Sequence, residues 1–254
     1  MPRVSRKNLN SSYFHVMVQG INKEYIFNTD KNKYKYKKII KDNLQEFQED
    51  APTILSYSLM YNHSHFIFHT KDFKKLSNFM HQINMQYSMY YNKTNNRVGY
   101  VFRDRFKVQE INSYEQLYNC LRYIHNNPVK AKICKSMADY KFSSYNEFIG
   151  KRDIITDKSI ELLFGTSKDF LRTFENIHKT YLSDDFLDVK DLTLGNFTEQ
   201  FLTDNNCTIT NLLNNVKSLK AYVKQAKKET DCTLLDISNL LKIPQSTVGY
   251  YYRN

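Results

Sequence analysis

The chain has 254 residues, 41% of them hydrophobic, and a formal net charge of +11. It is long enough for one large domain, or for a core domain with a smaller companion, and apolar enough to bury a core. Lys and Arg are spread along the chain rather than gathered in a tail, which favours a polyanionic partner, nucleic acid before membrane.

A Lys-rich proteome would produce the same charge without any such partner. No apolar run approaches the roughly 18 residues of a membrane span, and the first residues, Met-Pro-Arg-Val-Ser-Arg-Lys, hold no signal-like apolar stretch. Cys120, Cys134, Cys207 and Cys232 are too far apart for a CxxC zinc site and read as reduced thiols. The expected location is the cytoplasm. The 20 Tyr and 17 Phe suit base stacking, although most of these rings should be core.

Residues 1–12 read as a basic arm. Residues 13–20 are β-rich and end in Gly, a first strand with His15 as a core histidine. In 31–50, Tyr36, Ile39, Ile40, Leu44 and Phe47 recur at helical spacing. Residues 53–61 and 63–70 are two strands meeting at Asn62. Residues 72–92 form a second amphipathic helix with Leu76, Phe79, Met80, Ile83 and Tyr87 inward. Residues 101–111 alternate as a further strand, which places Arg103, Arg105 and Lys107 on one face, where they can follow a phosphate backbone or line a solvated edge.

Ser113 and Gln116 make a capping box for a helix that buries Leu117, Leu121 and Ile124. Pro128 is expected to end that helix at Asn127. The order β-α-β-β-α-β-α predicts an α+β fold, an antiparallel sheet flanked by helices. Residues 139–150 close this first domain, 1–150. The rest, 151–254, reads as an all-α extension, with helices at 167–182 and 219–230. At about 233–252 an apolar helix, a Lys-Ile-Pro turn and a helix opening on Gln245, Ser246 and Thr247 give a helix-turn-helix pattern, with Val248 as its anchor. An ordinary helical hairpin has the same pattern.

The chemistry centres on His63-Ser64-His65. A strand repeats every two residues, so the two imidazoles share a face and can share a metal ion. Asn127 can add an oxygen ligand if its helix packs beside that strand, and His69, on the same face, is the reserve. Mixed nitrogen and oxygen ligation suits Mg²⁺ or Mn²⁺ in a phosphate-binding role, with Zn²⁺ as the alternative. Tyr123 lies one helical turn before Asn127, so its hydroxyl is directed to the same region. A tyrosine attacking a DNA phosphate keeps the phosphodiester energy in a covalent bond, and the strand can then be rejoined without ATP.

These residues carry a family resemblance. Met60-Tyr-Asn-His-Ser-His65-Phe resembles the His-hydrophobic-His motif of the HUH endonucleases. Gly99-Tyr-Val-Phe-Arg-Asp-Arg105-Phe-Lys and Leu121-Arg-Tyr-Ile-His-Asn-Asn127-Pro-Val-Lys-Ala resemble motifs of the single-tyrosine transposases. The nearest group is the REP-associated tyrosine transposases, relatives of the IS200/IS605 enzymes, and the likeness spans roughly residues 1–150.

The resemblance implies a ferredoxin-like HUH core and a metal-dependent single-stranded DNA endonuclease and transesterase. It would cleave and rejoin hairpin- or palindrome-bearing ends. Tyr123 would form a 5′-phosphotyrosine and free a 3′-OH, His63, His65 and Asn127 would hold Mg²⁺ or Mn²⁺, and Arg103, Arg105, Lys107, Arg122 and Lys130 would meet DNA. Gln245, Ser246 and Thr247 are assigned to DNA by pattern alone. No membrane or small-molecule cofactor is implied, and a homodimer is one open arrangement. Ser64 departs from the motif's apolar middle residue, and that position should point to the sheet's other face. The alternatives are a domesticated DNA-binding regulator of repetitive palindromic elements and a rolling-circle-type nicking initiator.

Overall fold

The computed structural model describes residues 9, 11–166, 169–179, 194–230 and 232–253. The chain divides into two compact units, Met1–Leu187 and Asp188–Asn254. The basic arm, and the ends of the helix expected at 167–182, lie largely outside the described residues.

The first unit opens with β1 (Tyr13–Gln19), α1 (Asp30–Phe47), β2 (Thr53–Leu59), β3 (His63–His69), α2 (Phe73–Thr94), β4 (Lys107–Ile111) and α3 (Tyr114–Lys130). The strands form an antiparallel sheet in the order β2-β3-β1-β4. Both faces are covered, which is why β1 and β3 are buried at nearly every position rather than at alternate ones. On one face, Phe66 and Phe68 meet Tyr36 of α1 and Phe79 of α2. The opposite face carries His15, Met17, His63 and His65 and is covered by α3. Ser64 is fully buried on the α1/α2 side, as the strand period requires.

Local chemistry explains the helix starts. Thr29, Asp72 and Ser113 each accept a hydrogen bond from a first-turn backbone N–H. Two expectations are corrected. The strand expected at 101–111 exists only as Lys107–Ile111; before it the chain touches the sheet through a bridge from Phe102 to Gly20 and then bends through Arg103, Asp104 and Arg105. Those two arginines therefore do not share a strand face with Lys107. The second concerns Pro128, which lies inside α3 rather than ending it. Its missing N–H orphans only the Ile124 carbonyl, while Ala131 N donates to Asn127 O and Ile133 N to Pro128 O, each at 2.9 Å.

The core continues past residue 150. Here α4 (Tyr145–Ile149), α5 (Asp157–Phe164) and α6 (Phe170–Lys179) follow, and Ile154, Ile155, Ile160, Leu163 and Phe174 join the core of the first unit. Glu147 pins this segment. Its Oε2 accepts from the backbone N–H of Asp153, Ile154 and Ile155 at 3.0, 2.7 and 2.8 Å, and its Oε1 accepts from Tyr57 Oη.

The second unit holds α7 (Leu194–Asp204), α8 (Ile209–Asn214), α9 (Val216–Glu229), α10 (Leu234–Leu241) and α11 (Gln245–Arg253) around Phe197, Tyr222, Val223, Ile237 and Val248. Thr233 and Asp236 form a capping box at the start of α10, and Lys242, in the left-handed region at φ 54°, ends it. No described helix is long and apolar enough to cross a membrane.

Candidate active site

The site is built on the centre of β1 and β3 and roofed by α3. The His63 and His65 rings lie edge to face with centroids 4.9 Å apart, both fully buried. The Tyr123 ring stands edge-on to His65 at 5.7 Å and to His15 at 6.0 Å. Asn127 is one turn further along α3, buried, with no hydrogen-bond partner for Nδ2 among the described residues. Lys130, the next turn, holds Nζ 5.6 Å from the Tyr123 ring centroid, and its charge reaches His65. So α3 sets Tyr123 and Lys130 beside the histidine face, and Asn127 lies between them along the same helix.

The outer hydrogen bonds set the ring tautomers. His63 Nδ1–H donates to Asn62 Oδ1 at 2.6 Å, which leaves the lone pair of the neutral ring on Nε2. His65 Nδ1 pairs with His15 Nε2 at 3.0 Å. Across the sheet from His15 is Gln109 on β4, whose side chain favours the protonated His15 ring. One hydrogen is shared between His15 Nε2 and His65 Nδ1, and the tautomer that suits metal ligation has it on His65 Nδ1 with His15 Nε2 accepting. The lone pair of His65 falls on Nε2, which is buried and has no hydrogen-bond partner among the described residues. Burial, and after it the charges of His63, His15, Lys107 and Lys130, push His65 well below the usual imidazole range. Burial also takes His15 down to about 3. Both rings are therefore neutral at pH 7.

A neutral imidazole held by an orienting partner on Nδ1 is the state in which Nε2 ligates a metal. Two such rings with an amide from Asn127 fit a divalent cation. Among the described residues no group of three His, Cys, Asp or Glu side chains is placed to hold one, so any ion here depends on amide oxygens as well as imidazoles. His69 shares the face but lies four residues past His65, about 13 Å along the strand. It packs on Tyr13 instead.

The remaining residues separate. Arg103, Arg105 and Lys107 are exposed. Arg122 is buried and its charge is felt by His178 of α6, so it is not on an open surface for DNA. In the second unit, Gln245 and Ser246 are exposed, Thr247 is half-buried and Val248 is fully buried. Sequence reasoning passed over Asn62 and Gln109 as site residues and read His15 as core. A polar residue beside His63, and a His on the neighbouring strand, were the available signals.

Residues 8–127, just under half of the chain, match the family model described as "Transposase IS200 like". This stretch is similar to the IS200-like transposases. It contains β1–β4, both motif histidines and α3 as far as Asn127. Among solved structures, a REP-associated tyrosine transposase bound to a REP hairpin is similar, at 19% identity, with a TM-score of 0.46 and with 59% of this chain and 86% of that chain covered. No curated protein matches the chain.

Proposed function

We propose that the transposase domain is a metal-dependent single-stranded DNA transesterase with Tyr123 as nucleophile and His63, His65 and Asn127 as metal ligands. The observation that carries this reading is the Tyr123 ring set 5.7 Å from a His65 ring whose Nε2 is buried and unbonded. A Mg²⁺ or Mn²⁺ ion bound there would polarise the non-bridging oxygens of the scissile phosphate. Tyr123 Oη bonds to phosphorus as its proton leaves, and the P–O3′ bond breaks. The departing 3′ oxygen takes up a proton, and the DNA is held as a 5′-phosphotyrosine. Attack by a 3′-OH on that linkage reverses the step and rejoins a strand. Lys130, beside the Tyr123 ring, favours the phenolate that develops.

The DNA partner is a single strand with hairpin or palindromic ends, in keeping with the family. Lys107 and Lys130 border the site, and Arg103 and Arg105 are exposed near the end of β1. In the second unit, Gln245, Ser246 and Thr247 open α11 after a three-residue turn, which suits a recognition helix. Tyr123 is only 2% exposed, so DNA binding has to open a path to its hydroxyl. That burial favours a second reading, a DNA-binding regulator that retains the site without using it.

A labelled single-stranded hairpin with Mn²⁺ or Mg²⁺ separates the two. The transesterase reading expects nicking and a covalent adduct that are lost in Tyr123→Phe and His65→Ala. Tight binding with no nicking under any divalent ion would leave the regulator.

A further inference from the structure

The wall of the site facing His63 holds a polar side chain to which no role has yet been given. Gln19 ends β1 directly opposite His63, so the two side chains leave the sheet on the same face, with Cβ atoms roughly 5 Å apart. It is 6% exposed. Neither its Oε1 nor its Nε2 has a hydrogen-bond partner among the described residues. The backbone around it is fully engaged: Arg103 N donates to Gln19 O at 2.9 Å, and Gly20 N donates to the carbonyl of Asn62 at 2.8 Å. Asn62 is the residue that orients His63. The amide is thus carried on a fixed strand end, beside a fixed histidine.

A buried primary amide with both ends unsatisfied costs free energy that a Leu or Met of similar volume would not. Such a group is explained when something outside the chain satisfies it. Other buried polar atoms here also lack a hydrogen-bond partner, among them His65 Nε2 on the same sheet face and Asn127 Nδ2 on α3. Unsatisfied atoms on β1 and β3 therefore share one sheet face, and a further one is carried by α3, the helix packed on it.

We propose that Gln19 is a further ligand of the divalent cation, supplying Oε1, while its Nε2–H₂ donates to a non-bridging oxygen of the bound DNA phosphate. This rests on the metal site proposed above. It has a chemical consequence. Two imidazoles and two amides carry no negative charge, so the ion keeps its full double charge for the phosphate. Amide oxygens also bias the site towards hard cations such as Mg²⁺ and Mn²⁺. Without an anionic protein ligand, the ion is bound weakly by the chain alone and more tightly once a DNA phosphate completes its shell.

The test uses the full chain and Mn²⁺ alone, with free Mn²⁺ read by electron paramagnetic resonance, followed by the same titration with a single-stranded oligonucleotide. Gln19→Leu should lose about tenfold or more in Mn²⁺ affinity, while melting in EDTA at or above the wild-type temperature, because an unsatisfied amide has been removed. Gln19→Glu keeps an oxygen ligand and adds charge, so it should bind Mn²⁺ at least as tightly as the wild type. His65→Ala serves as the control for the metal site itself. Wild-type Mn²⁺ affinity in Gln19→Leu, with His65→Ala weakened, overturns the role of Gln19 and leaves the metal site standing. Unchanged affinity in His65→Ala overturns both. Should Gln19→Leu fail to fold, weaker binding by Gln19→Glu than by the wild type overturns the proposal on its own.

Discussion

His15 offers the sharpest test of how the outer hydrogen bonds work. His15→Phe keeps a ring of similar size against Tyr123 but removes Nε2, the partner of His65 Nδ1 at 3.0 Å. His65 is fully buried, so no water replaces the lost acceptor. The His65 proton is then no longer held on Nδ1, and any molecule with it on Nε2 cannot ligate a metal. Losing such an orienting partner weakens metal binding by about 10–100-fold, or about 1.4–2.7 kcal/mol. Isothermal titration with Mn²⁺ on the folded variant measures it. Gln109→Leu should follow the same direction with a smaller loss, since it acts through His15. A His15→Phe chain that folds and binds Mn²⁺ as tightly as wild type would refute the tautomer argument.

Two further predictions concern the scaffold. Glu147→Leu strips three backbone N–H groups of their acceptor, while Lys37 keeps Asp153 at 3.0 Å, so a loss of about 3–5 kcal/mol is expected in urea unfolding from the orphaned N–H groups; a loss under about 1 kcal/mol would contradict the anchoring role. The second is a pH dependence. His178 Nδ1–H donates to Phe174 O at 2.7 Å, so its Nε2 accepts from His125 Nδ1–H at 2.8 Å, and His125 Nε2 accepts from Ser144 Oγ at 2.7 Å. Burial holds His178 down to about 4 and His125 well below the ordinary value. Unfolding returns both to about 6.5, so the unfolded chain binds more protons between those values. Stability is full above about pH 6.5 and falls as the pH drops towards 4, by at most about 3 kcal/mol from His178 alone. A urea midpoint that stays flat from pH 7 to 4.5 would count against it.

The sheet and its three large helices were legible because their periodicities are clean. Tyr36, Ile39 and Ile40 recur at helical spacing, and Phe66 to Phe68 is a short apolar run inside a segment bounded by Asn62 and Thr70. Two local rules misled. Arg103, Arg105 and Lys107 alternate like a strand, but strand pairing is a property of the partner, and β1 offers a ladder to β4 only as far as Met17 opposite Lys107. Pro128 obeys its steric preference only weakly, because one lost hydrogen bond near a helix end is a small term beside the packing of α3. Burial of Ile154, Ile155 and Ile160 against the first core leaves no composition signal, which is why the sequence alone draws the boundary at 150.

The site divides in the same way. His63, His65, Tyr123 and Asn127, the proposed set, stand out through spacing within one strand and one helix. Gln19, Asn62, His15 and Gln109 lie on other strands or in a turn. Their relation to the histidines is fixed by register, and register is invisible until the sheet is assembled.

The central claim is that Tyr123 becomes covalently joined to DNA. The chain can be incubated with a single-stranded hairpin oligonucleotide and Mn²⁺, digested with nuclease and trypsin, and its peptides read by mass spectrometry. Cleavage after Arg122 and Lys130 releases residues 123–130 as one peptide. The account predicts that this peptide carries a 5′-linked nucleotide in the wild type and that Tyr123→Phe gives no adduct. Nicked DNA with a nucleotide on another tyrosine, or with none on any, would contradict it.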